Sequence, residues 1–167
     1  MNDGSMSSRK RITGNQSGFS LAETLVALLV LTLVSVMMVN GIRLAVREQR
    51  KITDKANAQI LLSTTVTELR SRLMNAYDIS VSEGENEISF SDWSTKNRLI
   101  IVSEPDGIRI SYGDEKKLLV TSEAASKDMH VECSFAYDGS GLISIKEIKV
   151  KKEGNVLAEL EEFLIRI

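Results

Sequence analysis

Glu23 is the side chain best placed for chemistry, because it lies where a membrane span should carry no charge. Residues 19–39 read FSLAETLVALLVLTLVSVMMV, with Glu23 as the single charged group. As a helix rising about 1.5 Å per residue, this run covers roughly 32 Å, enough to cross a bilayer core. A carboxylate in such a run is costly unless a cation or a set of donors meets it, so its presence points to a function and a partner. Phe19 stands four residues before Glu23 and follows Gly18, and Arg9, Lys10 and Arg11 lie upstream in a polar leader. A basic leader, a glycine, an aromatic residue and then a glutamate make a processing signature as well as a membrane signature.

Residues 14–30, GNQSGFSLAETLVALLV, resemble the N-terminal segment of type IV prepilins and type II secretion pseudopilins. In that family a prepilin peptidase cuts after the glycine on the cytoplasmic side. The new N-terminal residue is then N-methylated, and the glutamate four residues on helps subunits assemble. The resemblance therefore implies cleavage between Gly18 and Phe19, methylation of Phe19 and an assembly role for Glu23. It also implies a set of partners: other pilin or pseudopilin subunits, the peptidase, an inner-membrane assembly platform, and lipid before assembly. Ser20 and Ala22 stand where threonine and a larger aliphatic are commoner, and the eighteen-residue leader carries Asp3. Neither departure touches the glycine or the glutamate.

Two plainer readings explain less. An uncleaved signal anchor would show the basic residues and the apolar run, but would need neither Gly-Phe before the run nor glutamate inside it. A secretory signal peptide has a shorter apolar region followed by small residues at a cleavage site. Val39-Asn40-Gly41 matches such a site weakly, and the run before it is too long. Cationic flanks do not settle orientation. Arg43, Arg47, Arg50, Lys51 and Lys55 follow the span and outnumber the three cations of the leader, against the rule that positive residues mark the cytoplasmic side. The leader motif sets the orientation instead, with the globular part outside the cytoplasm.

The chain has 167 residues, room for one globular domain beside the N-terminal helix. Its net charge is −2; the leader carries +2, which leaves about −4 for the rest. That balance does not advertise nucleic-acid binding. Cys133 is the single cysteine, so no intrachain disulfide forms.

The pattern along the chain gives three parts: a leader over 1–18, a long helix over 19–76 with its membrane and assembly segment at 19–39, and a β domain over 77–167. Ile42, Ala45, Ile52, Ala56, Ile60, Val66, Leu69 and Leu73 recur at helical spacing beyond the span. Asn40-Gly41 is the weakest point of that helix, since interior glycine costs about 1 kcal/mol relative to alanine. After Ala76 the period falls to two. Strands are expected over 87–90, 98–102, 108–112, 117–120, 129–137, 142–150 and 156–167. Pro105-Asp106-Gly107 signals a hairpin, because proline presets one backbone angle and glycine accepts the reversed one. Alternation slips at Lys146-Glu147, which predicts a bulge. The expected fold is α+β and pilin-like: a long N-terminal helix, membrane-spanning in its first half, packed against an antiparallel β-sheet.

No catalytic, metal or cofactor constellation emerges, and no small-molecule substrate is implied. His130 is the only histidine and reads as a surface or edge residue. Cys133 alternates with Val131 and Phe135 and reads as core. Glu83, Glu85 and Glu87 lack the ligand spacing of a calcium loop and read as a charged loop. Trp93 reads as a core or loop anchor. The chain is therefore expected to be a non-enzymatic structural subunit, a minor pilin or pseudopilin of a type IV pilus-like filament. Type II secretion and competence DNA-uptake machines are the alternative systems, and an uncleaved single-pass binding domain is the remaining class. The expected location is the cytoplasmic membrane with the C-terminal domain outside, then a surface or periplasmic filament.

Overall fold

The computed structural model describes residues 20–113, 115–120 and 128–167. The described chain has one long helix, α1 (Leu21–Leu73). Eight strands follow: β1 (Ala76–Val81), β2 (Glu87–Asp92), β3 (Arg98–Glu104), β4 (Gly107–Tyr112), β5 (Glu115–Leu118), β6 (Met129–Tyr137), β7 (Leu142–Lys152) and β8 (Asn155–Arg166). The chain divides into two compact units at Val46/Arg47.

The first unit is helical from Leu21 onward, and α1 passes through Asn40-Gly41 as helix. A Cβ added at Gly41 would meet nothing within 4 Å. Every residue from Ser20 to Val46 is exposed. The hydroxyls of Thr24, Thr32 and Ser35 donate to the carbonyls of Leu21, Leu29 and Leu31, each at 2.8 Å. These polar groups are thereby satisfied within the helix, as an apolar surrounding requires. α1 is long and apolar enough here to cross a membrane.

The second unit is the α+β part, with antiparallel strands packed on the C-terminal half of α1. The helix buries Ala58, Leu61, Thr65, Leu69 and Leu73, a stripe at spacings of three and four. Thr65 is satisfied inside the core by donating its Oγ1 hydrogen to the Leu61 carbonyl at 2.8 Å. The stripe differs from the sequence expectation. Leu69 and Leu73 are on it, but Ile52 is 69 % exposed and Ile60 54 % exposed. Ile60-Leu61-Leu62 is a continuous apolar run, so spacing alone does not fix which member faces inward. Two basic residues, Arg70 and Arg72, sit in the last turn, where the helix dipole favours cations.

Two sheets, not one, cover the helix. Sheet A is a five-stranded meander, β1-β2-β3-β4-β5; sheet B is a three-stranded meander, β6-β7-β8. All their pairings are antiparallel. The inward faces of both sheets carry Phe90, Leu99, Ile101, Phe135, Ile145 and Val150, each at most 1 % exposed. The Pro105-Asp106 turn joins β3 to β4, with Glu104 opposite Gly107. Gly107 has φ +136°, beyond the comfortable range of an L side chain. The bulge expected in β7 is present: Glu132 pairs with Lys149 but Ser134 with Lys146, and Glu147 has φ +51°. β1 carries a second bulge, where Tyr77 pairs with Ser91 and Ser80 with Ser89, and Asp78 takes φ +50°.

Two hydrogen bonds from β6 amides join the sheets. The Phe135 amide donates to the Glu85 carbonyl at 2.6 Å, and the Cys133 amide donates to Ser103 Oγ at 2.9 Å. The acidic Glu83–Glu87 segment thus contributes a structural joint through its backbone. Lys152 Nζ donates to both carboxylate oxygens of Asp54 at 2.9 Å, tying the end of β7 to α1.

Candidate functional site

Glu23 lies in the first turn of α1, and its local partner is Ser20. The Ser20 amide donates to Glu23 Oε2 at 3.2 Å, and the Glu23 amide donates to Ser20 Oγ at 3.3 Å. This reciprocal pair is a capping box: the residue before the helix and the residue three on satisfy one another's orphan amides. Thr24 makes the first intrahelical bond, donating its amide to the Ser20 carbonyl at 3.2 Å. The sequence Ser20-Leu21-Ala22-Glu23 carries the S-x-x-E signal for this arrangement. The role of Ser20 was therefore legible, and it is absent from the motif-based assignment of Gly18, Phe19 and Glu23. Gly18 and Phe19 themselves lie outside the described residues.

The box has a chemical consequence. Two donors from the first turn face Glu23 and Ser20, and the helix dipole favours an acid at this end. One carboxylate oxygen is engaged, which leaves acceptor capacity on the other for a cation. Among the described residues no cation forms an ion pair with Glu23. Leu25, Leu28, Leu29 and Leu31 around it are all at least 58 % exposed in the single chain. The segment is thus a carboxylate with spare acceptor capacity on an apolar helix surface that is exposed among the described residues.

The β domain brings no comparable group together. Among the described residues, no three His, Cys, Asp or Glu side chains are placed to hold a metal ion. His130 is half-buried in β6, and its Nε2 lies 3.9 Å from a Glu132 oxygen. Cys133 is buried; burial pushes its thiol up to about 12, with a smaller opposing effect from the hydrogen bond with Ser103. A thiol so disposed stays protonated and unreactive near neutral pH. Trp93 is 66 % exposed, so it is no core residue; its ring rests on Tyr77 with centroids 4.5 Å apart. Its backbone does anchor the loop, donating to the Asn75 carbonyl at 3.1 Å. A cavity of about 170 Å³ lies between α1, the β3–β4 turn and β6. Among the described residues its ionisable lining groups are Asp106, which Arg109 engages, and His130.

Comparison with curated proteins and with solved structures gave no match. Residues 13–39 match the family described as the prokaryotic N-terminal methylation motif. The chain thus carries the prepilin-type cleavage and methylation signal around the capped helix start, which supports a type IV pilin- or pseudopilin-like protein.

Proposed function

We propose that the chain is a structural subunit, a minor pilin or pseudopilin, of a type IV pilus-like filament. On this reading it is made as a prepilin and cut between Gly18 and Phe19, which removes residues 1–18. Phe19 is methylated, and the helix over 19–76 enters the filament through its 19–39 segment while residues 77–167 stay outside the cytoplasm. Before assembly it is a single-pass protein of the cytoplasmic membrane; afterwards it belongs to a surface or periplasmic filament. Its partners are the peptidase, the assembly platform and other subunits, and its work is structural. The observation that carries the reading is the methylation motif over residues 13–39, with Glu23 in the first turn of an uncovered apolar helix. Neighbouring genes for an assembly ATPase, a secretin or a DNA receptor would separate pilus, secretion and competence systems.

Processing is the direct test. Co-expression with a prepilin peptidase should shift the intact mass by the loss of residues 1–18 and the gain of one methyl group. A bulky residue at Gly18 should abolish the shift. Recovery of full-length protein alone, or of a new terminus near Ile42, would overturn the reading.

A further inference from the structure

The second unit ends on two strand edges of opposite charge. Sheet B stops at β8, and sheet A stops at β5. The opposite flank of sheet B is engaged, because β6 donates the Phe135 and Cys133 amides to Glu85 and Ser103. The opposite flank of sheet A, β1, is broken by the bulge at Asp78, a device that discourages pairing. β8, twelve residues long and bulged only at Leu157 near its start, therefore presents the longest open edge among the described strands, unbroken from Ala158 to Arg166.

The phase of that edge follows from the ladder. The Ile167 amide donates to the Gly141 carbonyl at 3.0 Å, Ile165 faces Ile143 and Phe163 faces Ile145. Hydrogen-bonded and open positions alternate in an antiparallel pair, so Glu162, Leu164 and Arg166 turn their amides and carbonyls outward. The same strand carries Glu159, Glu161 and Glu162, all exposed. β5 is the complement: it pairs with β4 on one side and exposes Lys116 and Lys117, the latter 2.8 Å from Glu115 of its own strand, which leaves β5 one net positive charge.

Charge then selects the pairing. β8 carries three glutamates to one arginine and β5 two lysines to one glutamate, so β8 against β8 or β5 against β5 of a second copy brings like net charge together, which destabilises a strand pair. Antiparallel β5 against β8 sets Lys116 opposite Glu162 and Lys117 opposite Glu161, with Leu118 opposite the half-buried Leu160, and in this register the open backbone positions of the two edges coincide. We propose that the β8 edge of one copy accepts the β5 edge of a second copy, extending a sheet across the subunit boundary. The contact is heterologous, so it repeats without closing unless a rotation brings it into a ring. It rests on the filament-subunit reading and names the surface by which the exposed domains meet.

Filaments sheared from cells carrying the intact chain provide the test. Zero-length carbodiimide cross-linking of filaments grown from mixed light and heavy isotope cultures should give mixed-isotope peptides joining Lys116 or Lys117 to Glu159, Glu161 or Glu162. Lys116→Glu with Lys117→Glu should lower filament yield roughly tenfold, as should Glu161→Lys with Glu162→Lys. The four changes together should restore the yield, with urea midpoints unchanged throughout. Filaments that contain the chain but give no such cross-links, and no rescue, would overturn the edge contact and leave the filament reading standing. A chain found once per filament would do the same. Absence of the wild-type chain from filaments would overturn both.

Discussion

Glu23→Gln separates two roles that Glu23→Val removes together. The capping box needs an acceptor at position 23 and tolerates glutamine there, so the bond from the Ser20 amide at 3.2 Å survives the change. What is lost is the charge. Its interaction with the helix dipole contributes about 0.3–1 kcal/mol in the single subunit. We propose that the assembly role of this charge is to pair with the N-terminal amine of Phe19 in a neighbouring subunit; that pairing is the larger quantity, since stripping one partner from a buried pair costs about 3–5 kcal/mol. Ser20→Ala is the reciprocal change: it removes the acceptor for the Glu23 amide, a loss of about 1 kcal/mol, and leaves the charge. Amide exchange of the full chain in micelles should therefore quicken about fivefold over the first turn in Ser20→Ala and about two- to fivefold in Glu23→Gln. Incorporation into sheared filaments, normalised to the membrane pool, should separate the two, with Glu23→Gln down a hundredfold or more and Ser20→Ala close to wild type. Equal incorporation of Glu23→Gln and wild type would show that charge is not what Glu23 contributes. Equal damage from Ser20→Ala would assign the effect to capping.

The domain carries two further tests. Leu69→Ala empties a fully buried site and should lower stability by about 3 kcal/mol, whereas Ile60→Ala, at a site 54 % exposed, should change it by no more than about 0.5 kcal/mol; urea midpoints of the two variants in one detergent decide this, and equal losses would refute the assignment of the buried face. Cys133 should resist alkylation at pH 8 until the chain unfolds. Because burial raises its folded-state value to about 12, the unfolded chain ionises first, so its contribution to stability should decline as pH rises from about 9 towards 12; rapid labelling of the folded chain would refute the buried placement.

Local chemistry was legible where one residue decides a geometry. Pro105 and Gly107 announced the β3–β4 turn, and the slipped alternation at Lys146-Glu147 announced the bulge at which Glu147 takes φ +51°. β1 was missed although Tyr77, Ile79 and Val81 alternate with Asp78 and Ser80, because it begins at Ala76, only three residues after the helix ends at Leu73, with no proline or glycine to separate the two periods. The division into two sheets was hidden for a different reason. The joint is made by the Phe135 and Cys133 amides reaching Glu85 and Ser103, residues far away in sequence, and no periodicity marks such a bond. The inward face of α1 was misread because Ile60, Leu61 and Leu62 offer three faces, and the sheets select the one that includes Ala58 and Leu61. At the candidate site the motif named Gly18, Phe19 and Glu23, while the capping partner Ser20, legible as the first residue of Ser20-Leu21-Ala22-Glu23, lies outside that motif's assigned residues.

The exposure of the first unit limits what can drive assembly. Leu25, Leu28, Leu29 and Leu31 are 58–62 % exposed in the single chain, and burying a leucine fully contributes about 1.5–3 kcal/mol relative to water. In a bilayer that gain is already made, since lipid tails are as apolar as a neighbouring helix. Moving the segment from lipid into a helical bundle therefore gains little from apolarity as such. Packing shape and polar pairing must supply the specific part. Within residues 19–39 the hydroxyls of Thr24, Thr32 and Ser35 are engaged by their own helix, whereas Glu23 carries a charge and keeps acceptor capacity beyond its bond from Ser20. On the proposed reading the carboxylate that makes the span costly in lipid is thus the group whose pairing in the filament makes leaving lipid favourable.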